Sequence, residues 1–272
     1  MTGGAGAKLK RNARAVLDRL GLSRVYFRLL EWRIARRNPD PPPDQVDGTP
    51  MPSAYLMMLI AGTPDWRWFL KSGKDAAGAL AGFAAEAGCS FAGAKRILDL
   101  GCGCGRTARH LPALTDAEIY GVDYNPRLVD WCAKNLKGKF SRNRLRPPLV
   151  FPDGYFDVVY LMSVFTHLRP ETQLDWLAEL RRVTRPGGVV LVTFHDEDYV
   201  TLPSGEQARD SLARTGVYIH NDHVQGSNFM ATYQTRDFTR AMFERQFEVV
   251  QIVPSGDPAV QQAVMVARRP AA

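Results

Sequence analysis

Long apolar runs are missing from this sequence of 272 residues: no stretch approaches the roughly 18 to 20 consecutive apolar residues of a membrane-spanning helix. The first residues also lack the apolar segment and small-residue cleavage site of a secretory signal, so we expect a cytoplasmic protein. Cysteine is scarce as well. The four cysteines show no disulfide framework, so we expect reduced thiols at Cys89, Cys102, Cys104 and Cys132.

Excess positive charge is confined to one end of the chain. The formal net charge is +7, but residues 1–38 hold ten Lys and Arg against Asp18 and Glu31, so residues 39–272 carry −1. Apolar residues recur at helical spacing among these basic residues, which predicts a basic amphipathic helical arm. The arm is interpreted as a packed appendage or as a peripheral contact with an anionic membrane surface. The near-neutral remainder lacks a basic footprint for duplex binding, so we do not expect a nucleic-acid partner.

Composition divides the chain into four regions: a basic arm (1–38), a Pro-rich linker (39–52), a helical cap region (53–94) and a domain (95–272) with a polar insertion at about 196–234. Within the domain, short β-rich runs alternate with helical stretches, which predicts a mostly parallel sheet with helices on both faces. We expect "TARHLPAL" (107–114) to be a helix. The helix that begins at Pro170 should end at "PGG" (186–188).

The first strand of that domain, "RILDL", leads into a glycine-rich turn, "GCGCGR" (101–106). A dinucleotide fingerprint would need glycine at position 106, where the chain has Arg106, and the phosphate loop G-x-x-x-x-G-K-S/T is absent. The pattern that remains is D-x-G-x-G-x-G, whose glycines let a ligand approach the backbone without meeting a Cβ atom. Asp99 at the strand end would disfavour a pyrophosphate but suits a ligand with an amino group and a sulfonium.

At these residues the sequence resembles the class I S-adenosylmethionine-dependent methyltransferases, over roughly 95–268. The resemblance implies a Rossmann-like, seven-stranded, mostly parallel sheet and S-adenosyl-L-methionine as the cofactor. It implies that the glycine loop borders the methionine part, that Asp123 holds the ribose hydroxyls, and that the adenine contact falls on Asn143 and the Leu145 backbone. The implied cofactor-binding residues are Asp99, Gly101, Cys102, Gly103, Gly105, Asp123, Tyr124, Asn143 and Leu145.

More narrowly, "FLKSG", "GCGCGR", "GVDYNPRLVDWC" and "SVFTHL" look like bacterial methyltransferases of small molecules, found with sugar or surface-glycan modification. We therefore expect methylation of a hydroxyl oxygen of a small-molecule or saccharide acceptor, with an amine or a carboxylate as the less favoured acceptor groups. Two rival hypotheses remain open. One is a protein or RNA methyltransferase that reaches its substrate through the basic arm, and the other is a non-catalytic cofactor-binding scaffold at a membrane surface.

A hydroxyl acceptor would benefit from a general base, and histidine is the natural base near neutral pH. His167, just past the strand "FDVVYLMSV", and His195, beside Asp196, are the candidate catalytic residues, with a structural role as the alternative for each. The segment 218–228 is predicted to line the acceptor pocket. The candidate acceptor contacts are Tyr199, His220, His223 and Tyr233.

Metal chemistry is the competing interpretation of these side chains. A zinc site needs about four ligands, and Cys102 and Cys104 have no second close pair, so we interpret both as small residues that fit between glycines. His220, Asp222 and His223 lie close together in sequence but match no known ligand set. We therefore expect no metal, with a loop metal site as the open alternative.

Overall fold

The structure is a computed structural model that describes residues 29, 32–199, 206–221, 225–226 and 230–271. The chain divides into two compact units, Met1–Trp66 and Arg67–Ala272. Most of the predicted basic arm lies outside the described residues, so its amphipathic character stays a prediction; residues 32–37 are helical. Among the described residues, no helix is both long enough and apolar enough to cross a bilayer.

The Pro-rich segment of the first unit contains a short hairpin. Strands β1 (Gln45–Val46) and β2 (Thr49–Pro50) pair antiparallel around Asp47 and Gly48. Both turn residues have positive φ, 49° and 72°, which is the conformation that Asp-Gly turns favour between twisted strands. Helix α1 (Ala54–Ala61) follows, with the Ser53 side chain accepting from the Leu56 N–H.

The second unit contains a seven-stranded sheet, and the predicted architecture is confirmed. Its strands are β3 (Arg96–Leu100), β4 (Glu118–Asp123), β5 (Lys139–Arg142), β6 (Phe156–Leu161), β7 (Thr184–Phe194), β10 (Glu248–Val253) and β11 (Ala263–Arg268). The strand order is β10-β11-β7-β6-β3-β4-β5, with β11 antiparallel to both neighbours and the other pairs parallel. Strand order reverses between β3 and β6, so their carboxyl ends border the crevice where such sheets bind ligands.

Helices cover both faces of this sheet. They are α2 (Trp66–Glu86), α3 (Pro126–Asn135), α4 (Pro170–Val183) and α6 (Arg236–Phe243), whereas α5 (Glu206–Thr215) lies in the polar insertion. The polar insertion also contains an antiparallel pair, β8 (Val217–His220) with β9 (Ala231–Gln234). Alternate residues of β3 enter two separate cores, since Leu98 and Leu100 pack on one face and Ile97 on the other. Burial on both faces explains the nearly continuous apolar strands.

Two local predictions were wrong. Residues Ala108–Ala113, expected to be part of an α-helix, form a 3-10 helix with Pro112 inside it, because proline cannot donate the backbone hydrogen bond that an α-helix needs there. Helix α4 ends at Val183 rather than at the Pro-Gly-Gly segment, which instead lies in the first part of β7. There the register with β6 shifts, so the glycines accommodate an irregular strand start.

Helix α2 approaches the glycine-rich turn at Gly73. A Cβ atom at this position would collide with the backbone carbonyl of Arg106, whereas a Cβ at Gly78 on the same helix would meet nothing within 4 Å. The Arg106 guanidinium also donates to Ser72 Oγ over 3.3 Å. The backbones of the helix and the turn are therefore in direct contact at a residue that must lack a side chain.

This contact predicts opposite effects for one chemical change on one helix. Gly78→Ala should raise the free energy of unfolding by roughly 0.5–1 kcal/mol, because alanine is the better helix former. Gly73→Ala should lower it by roughly 1–3 kcal/mol, because the added methyl forces backbones apart. Urea unfolding of both variants and the parent measures the difference. A stabilised Gly73→Ala variant would show that α2 does not seat against the turn.

Candidate functional site

The glycine-rich turn follows β3 in a conformation that glycine permits. Gly101 and Gly103 have φ of 83° and 55°, in the left-handed region. A Cβ at Gly101 would collide with the side chain of Val164, which follows β6. The N–H groups of Gly101 and Cys102 both donate to the Val122 carbonyl, over 2.7 and 3.1 Å. The turn is therefore held between the ends of β4 and β6.

Asp123, the last residue of β4, fixes the other side of this turn. Its Oδ2 accepts from the Gly103 N–H over 2.9 Å, and its Oδ1 accepts from the Asn125 N–H over 2.7 Å. Burial raises the pKa of this carboxyl, and the two N–H donors oppose that rise. Each carboxylate oxygen has a second lone pair, so Asp123 can still accept from hydroxyl groups of a ligand.

Asp99 is the second buried carboxyl at this edge, 2% exposed, and accepts from the Tyr160 hydroxyl over 2.7 Å. The pKa of Asp99 is raised to about 7 overall, mainly by burial. The Asp123 charge also raises this pKa, whereas the hydrogen bond from Tyr160 and the Arg106 charge lower it. Two neighbouring buried carboxyls with raised pKa values form a site that a positively charged ligand would stabilise. The amino and sulfonium groups of S-adenosylmethionine have that charge.

Asn143 and Leu145, the predicted adenine contacts, lie beyond the end of β5. The Asn143 N–H donates to the Asp123 carbonyl over 3.2 Å, and its side-chain Oδ1 is buried with no hydrogen-bond partner among the described residues. Such an acceptor suits an exocyclic amino group such as that of adenine. The Leu145 carbonyl accepts from Trp176 Nε1 over 3.1 Å, so that carbonyl already has one donor.

Gly226 joins this side of the site to the segment after β6. Its N–H donates to the His167 carbonyl over 2.8 Å, and its carbonyl accepts from the Tyr124 hydroxyl. The Leu145 side chain occupies the space that a Cβ of Gly226 would need. Three residues predicted separately from the sequence, Tyr124, Leu145 and His167, therefore meet at one backbone position.

His167 lies in a 3-10 helix, Phe165–His167, at the carboxyl end of β6. Its Nδ1 is 2.6 Å from the Met230 carbonyl. A carbonyl can only accept, so Nδ1 carries the proton and Nε2 of the neutral ring keeps its lone pair. Burial lowers the pKa of His167, and the Met230 carbonyl opposes this effect. The ring is therefore neutral near pH 7 with a basic nitrogen available.

His195 directly follows β7 and is packed against aromatic rings. The imidazole stacks on Tyr199 with centroids 4.1 Å apart and planes within 8°, and it meets Tyr233 at 5.0 Å. The residue is 7% exposed. Burial, together with the smaller effect of nearby His167, lowers the pKa of His195 to about 3. The structure thus brings together His195, Tyr199 and Tyr233, three of the predicted catalytic and acceptor residues.

The remaining predicted acceptor residues are not part of this cluster. His220 is exposed at the end of β8, where it pairs with Ala231, and His223 lies outside the described residues. Sequence reasoning missed Gln262, whose Nε2 lies 3.3 Å from His195 Nε2, and Tyr160, which donates to Asp99. The antiparallel register of β11 with β7 places Gln262 beside His195, and no local motif marks that pairing.

All four cysteines are free and buried, in agreement with the expectation of reduced thiols. The Cys102 and Cys132 thiols approach the Gly103 carbonyl at 3.7 and 3.4 Å, so they pack under the turn. Cys89 lies just after the end of α2. Burial raises the pKa of Cys104, which disfavours the thiolate. Within the described part of the chain, no group of three or more His, Cys, Asp or Glu residues could hold a metal ion.

Comparison with known proteins places this site in a family. Residues 97–188 match the model of a methyltransferase domain. A tRNA N(3)-methylcytidine methyltransferase, trm140 of Schizosaccharomyces pombe, is 24% identical over 176 residues, which cover 59% of this chain and 53% of that protein. A probable chloroplastic tocopherol O-methyltransferase of Oryza sativa subsp. japonica is 32% identical over 109 residues, covering 37% of this chain and 29% of the relative.

Among solved structures, a SAM-dependent methyltransferase from Methanosarcina mazei has a TM-score of 0.50 and 17% identity, covering 65% of this chain and 93% of that one. The chain thus spans about half the length, or less, of these curated relatives, and the structural likeness concerns the fold. The matched domain contains the glycine-rich turn, Asp99, Asp123 and His167. Residues 97–188 are therefore a methyltransferase domain, and the sheet that contains them has the fold of the S-adenosyl-L-methionine-dependent methyltransferases.

Proposed function

We propose that this protein transfers a methyl group from S-adenosyl-L-methionine to an oxygen atom of a small-molecule or saccharide acceptor. One observation carries the proposal. The glycine-rich turn packs at Gly101 against the side chain of Val164, and Val164 immediately precedes the short helix that ends at His167. A nitrogen with an available lone pair therefore lies next to the predicted cofactor cradle. The bound cofactor supplies an electrophilic methyl, which needs no further activation.

The cofactor-binding role is assigned to residues whose side chains can still accept hydrogen bonds from, or face the charge of, such a ligand. Asp123 would accept from the ribose hydroxyls, and Asp99 with the glycine-rich turn would face the charged methionine part. The unpartnered Oδ1 of Asn143 supports its role as the adenine contact. Tyr124 would border the adenosine, since its hydroxyl is held by Gly226 next to Leu145.

His167 is proposed as the general base. Its Nδ1–H is committed to the Met230 carbonyl, so the ring cannot rotate without losing that hydrogen bond, and Nε2 is the nitrogen that can take a proton. A lowered pKa keeps that nitrogen unprotonated at neutral pH. These properties suit removal of a hydroxyl proton from the acceptor as the methyl group is transferred.

An RNA acceptor is the second candidate, and one observation favours it. A relative that matches 59% of this chain is named as a tRNA methyltransferase. The near-neutral charge of residues 39–272 therefore does not support excluding nucleic acid, and our expectation on this point is not upheld. The basic residues of 1–38 would then supply phosphate contacts.

A lipid-like acceptor is a further alternative, because one relative is named as a tocopherol methyltransferase. Such an acceptor would be reached at a membrane surface, which the same basic residues would contact.

Transfer of a labelled methyl group, screened over saccharides, phenols, lipids and RNA, tests the proposal. We expect incorporation into a saccharide or other small hydroxyl compound, with activity retained after deletion of residues 1–38. Incorporation into RNA that depends on those residues would replace the O-methylation proposal with the RNA alternative. Cofactor binding without incorporation into any class would support the non-catalytic scaffold.

A further inference from the structure

Beyond the two histidines, a polar network joins the carboxyl ends of β6 and β7 to the residue before β11. The Ser163 N–H donates to Thr193 Oγ1 over 2.7 Å, and Thr193 Oγ1 donates to Gln262 Oε1 over 2.6 Å. Gln262 Nε2 in turn donates to Ser163 Oγ over 2.9 Å. Thr193 is fully buried. The amide of Gln262 is therefore held at both of its ends.

The Thr193 contact determines which end of the amide faces His195. Thr193 Oγ1 donates to Gln262 Oε1 over 2.6 Å, an ordinary O–H···O separation, and the nitrogen at the other end of the amide donates to Ser163 Oγ over 2.9 Å. The atom facing Thr193 is therefore the amide oxygen, and the amide nitrogen faces Ser163 and His195. Gln262 Nε2 lies 3.3 Å from His195 Nε2. An amide nitrogen only donates, so this contact is a hydrogen bond when His195 Nε2 accepts and the ring proton resides on Nδ1.

The Nδ1–H group that results has no hydrogen-bond partner among the residues that the structure describes. His195 Nδ1 is buried and makes no hydrogen bond within the described chain, although the residue is only 7% exposed. Tyr199 and Tyr233 contact the ring and restrict its rotation. A buried N–H donor without an acceptor costs free energy, which a ligand oxygen placed at this nitrogen would recover.

We infer that Gln262 is a positioning residue that holds His195 as its Nδ1–H tautomer, and that this N–H donates to an oxygen atom of the methyl acceptor. The second half of the inference depends on the proposed function; the first half does not. The two histidines then have complementary roles: His167 presents a lone pair and His195 presents a donor. His195 therefore selects for an oxygen in the acceptor rather than removing its proton.

Nitrogen-15 NMR of the imidazoles in the full-length protein tests the tautomer. We expect His195 to carry its proton on Nδ1 in the parent protein at pH 8. Gln262→Glu should move the proton to Nε2, because a carboxylate only accepts. Gln262→Leu is the second variant, and it should leave a mixture of tautomers. Gln251→Glu, the same change at an exposed position on β10, should leave the parent pattern unchanged. A proton on Nε2 in the parent protein would overturn the inference.

Phenol and methyl glucoside serve as oxygen-bearing probes for the second half. At least one should shift the His195 Nδ1 nitrogen resonance in the parent protein, and at least tenfold more probe should be needed for the same shift in Gln262→Glu, whose Nδ1 carries no proton. If neither probe shifts that resonance, His195 is not an acceptor contact. Calorimetry with S-adenosylmethionine on the same samples separates the two proposals. If the parent protein binds the cofactor but no probe shifts the His195 resonance, only the His195 contact is refuted. If the parent protein does not bind the cofactor, the proposed function is refuted.

Discussion

Asp123→Ala should weaken S-adenosylmethionine binding by at least about 100-fold, because two hydrogen bonds to a charged group contribute about 3 kcal/mol or more. The substitution removes the proposed acceptor of the ribose hydroxyls. It also releases the N–H groups of Gly103 and Asn125, which hold the glycine-rich turn against β4. Isothermal titration calorimetry of the parent and variant proteins measures the change.

Asp130→Ala is the matched control for this experiment. Asp130 is an exposed residue of α3 that pairs with Arg142 over 2.6 Å, so its loss removes a carboxylate without touching the turn. Its cofactor affinity should stay within about twofold, since exposed ion pairs contribute little. Circular dichroism should show that both variants are folded. Parent-like affinity in folded Asp123→Ala would remove Asp123 from the cofactor site.

Gly103→Val probes the same site without removing a charge. Gly103 has a φ of 55°, which a β-branched residue strongly disfavours, so the turn must change its path. The Gly103 N–H donates a hydrogen bond to the Asp123 carboxylate, so a displaced turn would also leave that carboxylate without its orientation. Calorimetry should detect a loss of binding similar to that of Asp123→Ala, and retained affinity in both variants would contradict the assignment of this cradle.

His167→Ala should lower kcat at least about 100-fold while cofactor affinity changes little, which is the effect expected for loss of a general base. The reason is the orientation of the ring: Nδ1–H is bound to the Met230 carbonyl, and Nε2 is the nitrogen able to accept a proton. Rates would be measured with the acceptor identified by labelled-methyl transfer. His110→Gln is the control, since His110 lies in the 3-10 helix after the turn, away from the proposed acceptor cluster.

The pH profile gives this prediction a second measurement. The base must be unprotonated, and burial lowers the pKa of His167 below its ordinary value. The parent kcat/KM should therefore be flat near pH 7 and fall as the pH decreases through the lowered pKa. His167→Ala should lose that acidic limb. A parent profile that keeps rising well above pH 7, or a variant with parent rates, would show that His167 is not the base.

The strands that are buried on both faces of the sheet could be predicted, because they consist of nearly continuous apolar residues. β5 escaped prediction for the opposite reason: it is the polar segment "KFSR" at the sheet edge, mostly exposed and paired with β4 alone. Its strand conformation comes from pairing rather than from its own residues. The 3-10 helix at Ala108–Ala113 likewise follows from a single residue, Pro112, inside an otherwise helical pattern.

The candidate site divides in the same way. Asp99, Asp123 and the glycines lie in local strand-to-turn motifs, so short windows of sequence place them together at one edge. Gln262 could not be found in this manner, because its approach to His195 depends on Ala263 pairing with Phe194 across an antiparallel ladder. Residues that lie far apart in the chain meet there only through tertiary structure.

Strand β11 lies between β7 and β10 in the sheet but is made after both of them. The proposed cofactor-binding residues and Gln262 are therefore made at different times during synthesis. A nascent chain that has emerged as far as β7 contains every residue proposed to bind the cofactor. It lacks Gln262 and the buried strand that follows, which come later in the chain. Domains generally fold as units during synthesis. The buried strand β11 must therefore insert between β10 and β7 before Gln262 can meet His195, so the proposed acceptor contact depends on one of the last segments of the domain to be made.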